Sequence, residues 1–319
     1  MSAGPEVTVI ETPGGAAKRR GGGAPVPSTY GEDAKPRVGF FTDTSICIGC
    51  KACEVACKEW NHVPATSSEL TGHSYDNSGD LGADTWRHVA FVEQRLAVGG
   101  VAEGAPDSFV AEAHRQEVVE RSGIVPERDG EGLRWLMSSD VCKHCTHAAC
   151  LEVCPTGALF RTEYGTVVVQ EDVCNGCGYC VPACPFGVLD RREGDGRVWK
   201  CTLCYDRLGD DLEPACAKAC PTNSIQFGDH GELRARAQER VERLRADGMA
   251  EARLYGEDPG DGVGGAGAFF LLLDEPEVYG LPPDPVDTTR DLGGMWKAAG
   301  LAAGAIAAGV LAAFAGGSR

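Results

Sequence analysis

CKHCTHAACLEVCP at residues 142–155 and CNGCGYCVPACP at residues 174–185 form the most informative segment of this chain. The second run spaces its cysteines as C-x2-C-x2-C-x3-C-P, which is typical of the thiolate ligands of a cubane 4Fe–4S cluster. Three closely spaced thiolates bind one cubane, and the fourth cysteine, one helical turn further on, ligates the cluster of the other run. This cross-ligation predicts one cluster held by Cys142, Cys145, Cys150 and Cys184, and a second held by Cys174, Cys177, Cys180 and Cys154.

Two outer cysteine runs repeat this arrangement on either side of the central pair. The first contains Cys47, Cys50, Cys53 and Cys57, and the last contains Cys201, Cys204, Cys216 and Cys220. The same cross-ligation predicts a cluster held by Cys47, Cys50, Cys53 and Cys220, and another held by Cys201, Cys204, Cys216 and Cys57. All 16 cysteines are then used, with none left over.

Zinc binding and disulfide formation are the two alternative interpretations of the cysteine pattern. Structural zinc prefers separate C-x2-C pairs, and three cysteines in C-x2-C-x2-C are too crowded for one tetrahedral ion. Disulfides are typical of small secreted chains that have little hydrophobic core. A chain of 319 residues is long enough to form such a core without them. The pattern therefore favours four 4Fe–4S clusters.

Composition and charge indicate which partners are excluded and where the chain divides into a tail and a folded domain. A formal net charge of −17 argues against nucleic acid as a partner. Residues 1–36 are rich in Gly, Pro and Ala without periodicity, which predicts a disordered tail, and we expect residues 37–290 to form the cluster-binding domain. The basic triplet Lys18-Arg19-Arg20 is not followed by the apolar run that a secretory signal requires, so no export signal is predicted.

Hydrophobic periodicity predicts the regular elements around the cysteines. We expect strands at Arg37–Thr42, Trp135–Met137, Thr166–Gln170 and Ala268–Leu273, and helices at Cys53–Trp60 and Glu232–Asp247. The expected fold class is α+β, with two interleaved ferredoxin-like two-cluster units and a single C-terminal transmembrane helix.

The C-terminal segment is the candidate membrane span. Residues 298–315 are uncharged and apolar, close to the lower limit of length for crossing a bilayer, and we place the helix at residues 293–316. Gly300 and Gly304 offer a close-packing face for another transmembrane helix. A buried or peripheral helix is the alternative, and the charges at the two ends do not decide the orientation.

Two histidines and two lysines lie next to ligand cysteines. Every predicted cluster already has four cysteines, so His144 and His147 are expected to have surface or supporting roles rather than to bind iron. Lys143 and Lys200 each flank a cysteine, where a cation would stabilise the more negative reduced cluster. An ordinary exposed lysine is the equally weighted alternative.

Several segments resemble the iron–sulfur (beta) subunits of membrane-bound respiratory formate dehydrogenases. They are TSICIGCKACEVACKEWN (residues 44–61), SYDNSGDLGADTW (74–86), CNGCGYCVPACPFGV (174–188) and VWKCTLCYDRLGDDLEPACAKACPT (198–222). The resemblance covers most of the chain from about residue 37 onward. Residues 98–132 are longer than the family pattern and are interpreted as a surface insertion, with a helix expected at Phe109–Arg121.

The resemblance implies an electron-transfer subunit of an oxidoreductase complex. Electrons would enter from formate oxidation at a molybdenum or tungsten pterin centre in a catalytic (alpha) subunit and leave to a cytochrome b (gamma) subunit and quinone. The globular part would lie on the extracytoplasmic side of the membrane, exported already folded with the catalytic subunit. We find no nucleophile–base pair, nucleotide loop or open metal site, so no catalytic residue is predicted.

Two alternatives to this function remain open. The cysteine pattern is shared with the equivalent subunits of other molybdopterin oxidoreductases, such as sulfoxide or polysulfide reductases. Tyr75-Asp76-Asn77 and the C-terminal helix favour the formate dehydrogenase type. A non-redox scaffold, in which clusters only stabilise the fold, is the alternative from another class.

Overall fold

The structure is a computed structural model that describes residues 35–66, 72, 75–97, 125–126 and 131–316. Its architecture is mixed α/β. Apart from residues 35 and 36, the expected N-terminal tail lies outside the described residues. So do most of the expected insertion at residues 98–132 and the whole helix expected within it.

The secondary structure consists of short elements strung between loops. The strands are β1 (Val38–Asp43), β2 (Arg87–Ala97), β3 (Val125–Pro126), β4 (Glu131–Val141), β5 (Leu159–Arg161), β6 (Val167–Val169), β7 (Asp190–Arg191), β8 (Val198–Trp199), β9 (Ile225–Asp229), β10 (Arg253–Tyr255) and β11 (Ala268–Leu272). The α-helices are α1 (Ala52–Asn61), α2 (Ala149–Glu152), α3 (Cys180–Ala183), α4 (Tyr205–Gly209), α5 (Ala215–Lys218), α6 (His230–Ala246) and α7 (Leu292–Gly316). Short 3-10 turns occupy Thr44–Ile46 and Pro276–Tyr279.

A four-stranded sheet in the order β10-β11-β1-β9 forms one layer of the molecule. Strands β1 and β11 are parallel, while β9 and β10 are antiparallel to their neighbours. Successive side chains of a strand point to opposite faces. Phe41 and Phe269 accordingly pack against α6, whereas Phe40 and Phe270 join the core that contains cysteines.

Helix α6 covers the outer face of this sheet. Its buried residues, Leu233, Ala237, Val241 and Leu244, recur at helical spacing, and polar side chains occupy the opposite face. The Asp229 carboxylate caps the first turn by accepting hydrogen bonds from two backbone N–H groups, at 2.9 and 3.1 Å. The helix expected at Glu232–Asp247 is confirmed, shifted slightly toward the N-terminus by this cap.

Strands β2 and β4 form a long antiparallel ribbon, with β3 on the far side of β4. Their register runs from Arg87 opposite Val141 to Ala97 opposite Glu131. The strand expected at Trp135–Met137 lies inside β4 and is confirmed, although its length of 11 residues exceeds the prediction. The ribbon brings Arg87 and Ser139 close to the cysteines of the first and last runs.

The region around the central cysteine runs contains only two small hairpins, β5–β6 and β7–β8. The strand expected at Thr166–Gln170 corresponds to β6 and is confirmed. The core here consists of a few aliphatic residues together with buried and partly buried cysteines. This region therefore depends on the cysteines for much of its interior.

Helix α7 follows an extended segment at the C-terminal end of the described chain. The helix over Leu292–Ala315 is long and apolar enough to cross a membrane, with a mean hydropathy of 2.0. None of its most apolar 18-residue stretch is buried against the rest of the chain. A buried core helix is therefore excluded for this segment. The turn that precedes α7 is fixed to the globular part, because the Thr288 hydroxyl donates to the Ala183 carbonyl at 3.2 Å and the Thr289 hydroxyl donates to the Glu152 carboxylate.

Candidate metal centre

The four cysteine runs share one backbone feature. In all four runs, the residue before the second cysteine has a left-handed backbone: Gly49 (φ 64), His144 (φ 45), Gly176 (φ 70) and Leu203 (φ 57). Glycine adopts this conformation freely, and at Gly176 an added Cβ would lie 2.2 Å from the Gly196 carbonyl oxygen. His144 and Leu203 adopt it while fully buried, a strained conformation that costs about 1–3 kcal/mol. The repeated turn points to four binding loops of one kind.

A short helix then separates the third cysteine of each run from the fourth. Cys53 and Cys57 lie on α1. In the other three runs the fourth cysteine lies within two residues of the end of a short helix, α2, α3 or α5. Residues four apart on a helix lie about one turn along the axis. The third and fourth cysteines of a run are thus displaced from each other, as cross-ligation requires.

We name the four sets of cysteines that the sequence predicts to share a cluster. They are group I (Cys47, Cys50, Cys53 and Cys220), group II (Cys57, Cys201, Cys204 and Cys216), group III (Cys142, Cys145, Cys150 and Cys184) and group IV (Cys154, Cys174, Cys177 and Cys180).

Groups I and II are assembled from the two ends of the domain. Burial, together with the nearby Cys53 and Cys220 thiolates, raises the pKa of Cys47. Burial and the thiolates of the other three members of group II raise the pKa of Cys57 well above its ordinary value. The structure thus brings together all of group II and three members of group I. Cys50 lies on the exposed loop between Cys47 and Cys53.

Groups III and IV are assembled in the hairpin region. Burial and the thiolates of the other three members of group III raise the pKa of Cys145 well above its ordinary value. Burial raises the pKa of Cys180 to about 12, with contributions from the other three members of group IV. All four cysteines of group IV also line one cavity. Within each group, the fourth cysteine comes from the partner run.

The donor chemistry fits iron–sulfur clusters. Backbone N–H groups point at ligand sulfurs, from Leu203 to Cys201 Sγ at 3.2 Å and from Val198 to Cys174 Sγ at 3.5 Å. Such hydrogen bonds stabilise thiolates and tune cluster potentials. In the described part of the chain, no set of three or more His, Cys, Asp or Glu side chains is arranged to bind a single metal ion. Burial raises the pKa of Cys57, Cys145 and Cys180, so cluster binding must release protons from these thiols.

The basic residues next to the cysteines are buried. Lys143 and Lys200 are each 1 % exposed, so an ordinary exposed lysine is excluded at both positions. Lys143 pairs with Asp140, and the Lys200 ammonium donates to the carbonyls of Val167 and Cys201. His144 is also buried and its Nδ1 accepts from the Val167 N–H at 3.1 Å, a supporting role, whereas His147 is exposed.

Sequence reasoning missed two polar side chains at the cysteine core. The Ser139 hydroxyl lies 3.2 Å from Cys53 Sγ, and the Asn61 amide lies 3.7 Å from Cys57 Sγ and 3.8 Å from Cys204 Sγ. Asn61 could have been predicted from the sequence, since it follows Cys57 by one helical turn. Ser139 was not, because only the pairing of β2 with β4 brings it to the first run.

Comparisons with known proteins agree with this donor set. The family model of the 4Fe–4S dicluster domain matches residues 133–230. Together with the cysteine groups, this match defines an iron–sulfur protein that binds 4Fe–4S clusters and transfers electrons.

The relatives define the family more narrowly. The iron–sulfur subunit of the nitrate-inducible formate dehydrogenase of Escherichia coli (strain K12) is 38% identical over 304 residues, 94% of this chain and 89% of the relative. The formate dehydrogenase iron–sulfur subunit of Haemophilus influenzae is 38% identical over 85% of this chain and 76% of the relative. One subunit of the anaerobic dimethyl sulfoxide reductase of E. coli is 33% identical over 61% of this chain and 75% of the relative. The chain therefore belongs to the family of formate dehydrogenase iron–sulfur subunits, which confirms the resemblance seen in the sequence.

Proposed function

We propose that the chain holds four 4Fe–4S clusters, one in each of groups I to IV, within two interleaved ferredoxin-like units. One unit would contain groups I and II, and the other groups III and IV. The observation that carries this proposal is the gathering of cysteines from two different runs within each group. The left-handed residue that precedes the second cysteine in all four runs supports a repeated unit.

We infer that the groups form a row in the order I, II, III, IV, because electrostatic interactions connect cysteines of successive groups. The Cys216 thiolate of group II acts on the pKa of Cys53 in group I, although burial dominates its rise. Burial, followed by the Cys142 thiolate of group III, raises the pKa of Cys201 in group II to about 12. Burial raises the pKa of Cys150 in group III to about 12, with a contribution from Cys180 in group IV. These electrostatic interactions support the order of the groups.

When bound, each cluster supplies reversible one-electron transfer, and the protein sets its potential by burial, hydrogen bonds and nearby charge. The chain itself shields the middle of the row, where the cysteines of group II are all buried. At the two ends, Cys50 of group I and Cys177 of group IV lie in exposed loops. We infer that partner subunits exchange electrons with the protein at these two surfaces.

The attachment of α7 supports a direction for the row. The turn before the helix is hydrogen-bonded to Ala183, next to Cys184, and to Glu152, between Cys150 and Cys154. The membrane would therefore lie nearer groups III and IV than group I. We infer that electrons from formate oxidation in a molybdenum or tungsten pterin subunit enter at group I. They would leave at group IV toward a membrane cytochrome b and quinone, with the globular part on the extracytoplasmic side.

The equivalent subunit of another molybdopterin oxidoreductase is the alternative function. It is favoured by the similarity to a subunit of dimethyl sulfoxide reductase, but that similarity covers a smaller share of this chain. Both functions require a catalytic partner, and only the terminal reaction differs.

Isolation of the native complex tests the proposed function. The tagged chain is extracted from membranes with mild detergent, co-purifying subunits are identified by mass spectrometry, and formate-dependent dye reduction is assayed. A pterin-containing partner with formate activity is expected. The same partner without formate activity would favour the alternative, and a soluble chain without a partner would contradict both.

Cross-ligation has a separate test in the same complex. Cys57→Ser is expected to damage the cluster of group II, which is held mainly by the last run, and to leave the cluster of group I intact. EPR spectra of the reduced complex distinguish the two. Loss confined to group I would overturn the proposed pairing.

A further inference from the structure

Arg87 is a large, fully buried charged side chain that the proposed function leaves unexplained. It begins β2, opposite Val141, and is 2 % exposed. Within the described residues, no carboxylate lies within ion-pair distance of its guanidinium. A buried charge without a counter-ion is strongly unfavourable. Some other negative group must therefore compensate it.

The contacts of Arg87 satisfy only one edge of the guanidinium. Its Nη1 donates to the Ser139 carbonyl at 3.2 Å and to the Ser139 hydroxyl at 3.0 Å, and its plane lies over the Phe40 ring at 4.9 Å. Its Nε and Nη2 are buried and have no hydrogen-bond partner among the described residues. Two donor nitrogens in a buried core, which carry three N–H bonds between them, thus remain available to acceptors.

The surroundings of these free N–H groups are cysteines of two different groups. Burial alone would lower the pKa of Arg87, but the thiolates of Cys216, Cys53, Cys201 and Cys57 outweigh it and raise the pKa. Cys53 belongs to group I and the other three to group II. The Ser139 hydroxyl that holds Arg87 also contacts Cys53 Sγ at 3.2 Å. The guanidinium therefore lies at the junction between groups I and II.

We propose that Arg87 is the shared counter-cation of the clusters of groups I and II, with its unpaired N–H edge donating to their sulfur atoms. This inference rests on the proposed function, since it needs clusters in both groups. A fixed positive charge stabilises the reduced state of a cluster, which carries one more negative charge than the oxidised state. Arg87 thereby raises both potentials and acts as a positioning and tuning residue rather than as a ligand.

The two buried lysines next to ligand cysteines differ from Arg87 in how they are compensated. Lys143 pairs with the Asp140 carboxylate. Lys200 lies between groups II and III, where its ammonium donates to two backbone carbonyls. Arg87 alone among these three has neither a carboxylate nor a full set of carbonyl acceptors within the described chain. Its charge is consequently the one that depends most on the clusters.

Redox titration of the detergent-extracted complex, monitored by EPR, tests this inference. Arg87→Met is expected to lower the potentials of the clusters of groups I and II by about 59 mV or more, which is a tenfold change for one electron. The potentials of groups III and IV should not change. Cys50→Ser and Cys204→Ser assign the signals of groups I and II. Arg245→Met is the control and should shift none of the four, because it removes an exposed guanidinium from α6, whose buried face packs into a core without cysteine.

Two further variants keep the test decisive if Arg87→Met does not assemble. Arg87→Gln keeps a hydrogen-bond donor near Ser139 but removes the charge, and it should lower the same two potentials. Arg87→Lys keeps the charge and should restore most of the wild-type values. Four clusters with unchanged potentials in Arg87→Gln would overturn this inference alone. A wild-type complex that lacks a cluster in group I or group II would overturn the proposed function and this inference with it.

Discussion

Two regions of this molecule are stabilised in different ways. In the sheet layer, formed by β1, β9, β10, β11 and α6, the core between helix and sheet contains eight buried residues and no cysteine among the described residues. In the hairpin region, formed by β5 to β8 with α2 and α3, strands of two or three residues surround a core in which cysteines and aliphatic side chains are mixed. Isolated hairpins of this size are not stable in water. Apolar burial therefore stabilises the sheet layer, whereas the hairpin region depends on metal–thiolate bonds.

Cluster removal should separate the two regions most clearly. Structural metal sites contribute on the order of 10 kcal/mol to folding. After oxidation and chelation of the iron, we expect amide protection in β6 and β8 to be lost, while α6 and β11 stay protected. Hydrogen exchange followed by mass spectrometry measures both regions in one sample. Equal loss in the two regions would contradict the comparison.

A large-to-small substitution in the sheet layer gives the next largest effect. Phe269 is 0 % exposed and stacks on Phe41 with ring centroids 5.4 Å apart. Phe269→Ala should lower the free energy of unfolding by about 3–5 kcal/mol, because it leaves a cavity in a packed core. Urea unfolding followed by circular dichroism measures this change, and iron content per folded chain should not fall.

Leu189→Ala is the matched substitution in the hairpin region. Leu189 is 2 % exposed and belongs to the core that contains cysteines of groups III and IV. Here the expected result is a lower iron content, measured by colorimetric assay. If iron falls equally in both variants, the two regions are not independent.

His230, in the sheet layer, is expected to make the stability of the protein depend on pH. Burial, followed by the Arg37 charge, lowers the pKa of His230 to about 4. The unfolded chain then binds more protons than the folded chain between pH 6.5 and about 4, so stability falls as the pH decreases through this window. Between pH 7 and pH 5 the loss should be about 2 kcal/mol. His230→Gln should lack this part of the slope in unfolding experiments, and an unchanged slope would refute the assignment.

The smallest effect is expected at the solvent face of α6. The Arg243 guanidinium and the Glu239 carboxylate form an exposed pair at 3.0 Å. Glu239→Gln should change the free energy of unfolding by no more than about 0.5 kcal/mol, because water screens such pairs. A larger change in urea unfolding would mean that the sheet layer depends on surface charge as well as on its apolar core.

The local elements of this fold were predictable, and their associations were not. Patterns within a single segment were enough to predict α1, α6, β1, β6 and β11, since periodicity reports which face of an element is buried. The parallel pairing of β1 with β11, which are more than 200 residues apart, left no such pattern. The length of β4 was underestimated because its partner β2 extends the ladder beyond the apolar residues.

Cysteine spacing by itself determined the chemistry of this protein. A cubane binds several thiolates at short range, and the spacing within each run is therefore a local property of the chain. The neighbourhood of the cysteines was decided by tertiary structure. Arg87 and Ser139 are 52 residues apart and meet only because β2 pairs with β4. The burial of Lys143 and Lys200 likewise depends on packing from distant strands. Three ligands of each group are specified by spacing along the chain, whereas the fourth ligand and the charges that tune a cluster are brought in by the tertiary structure.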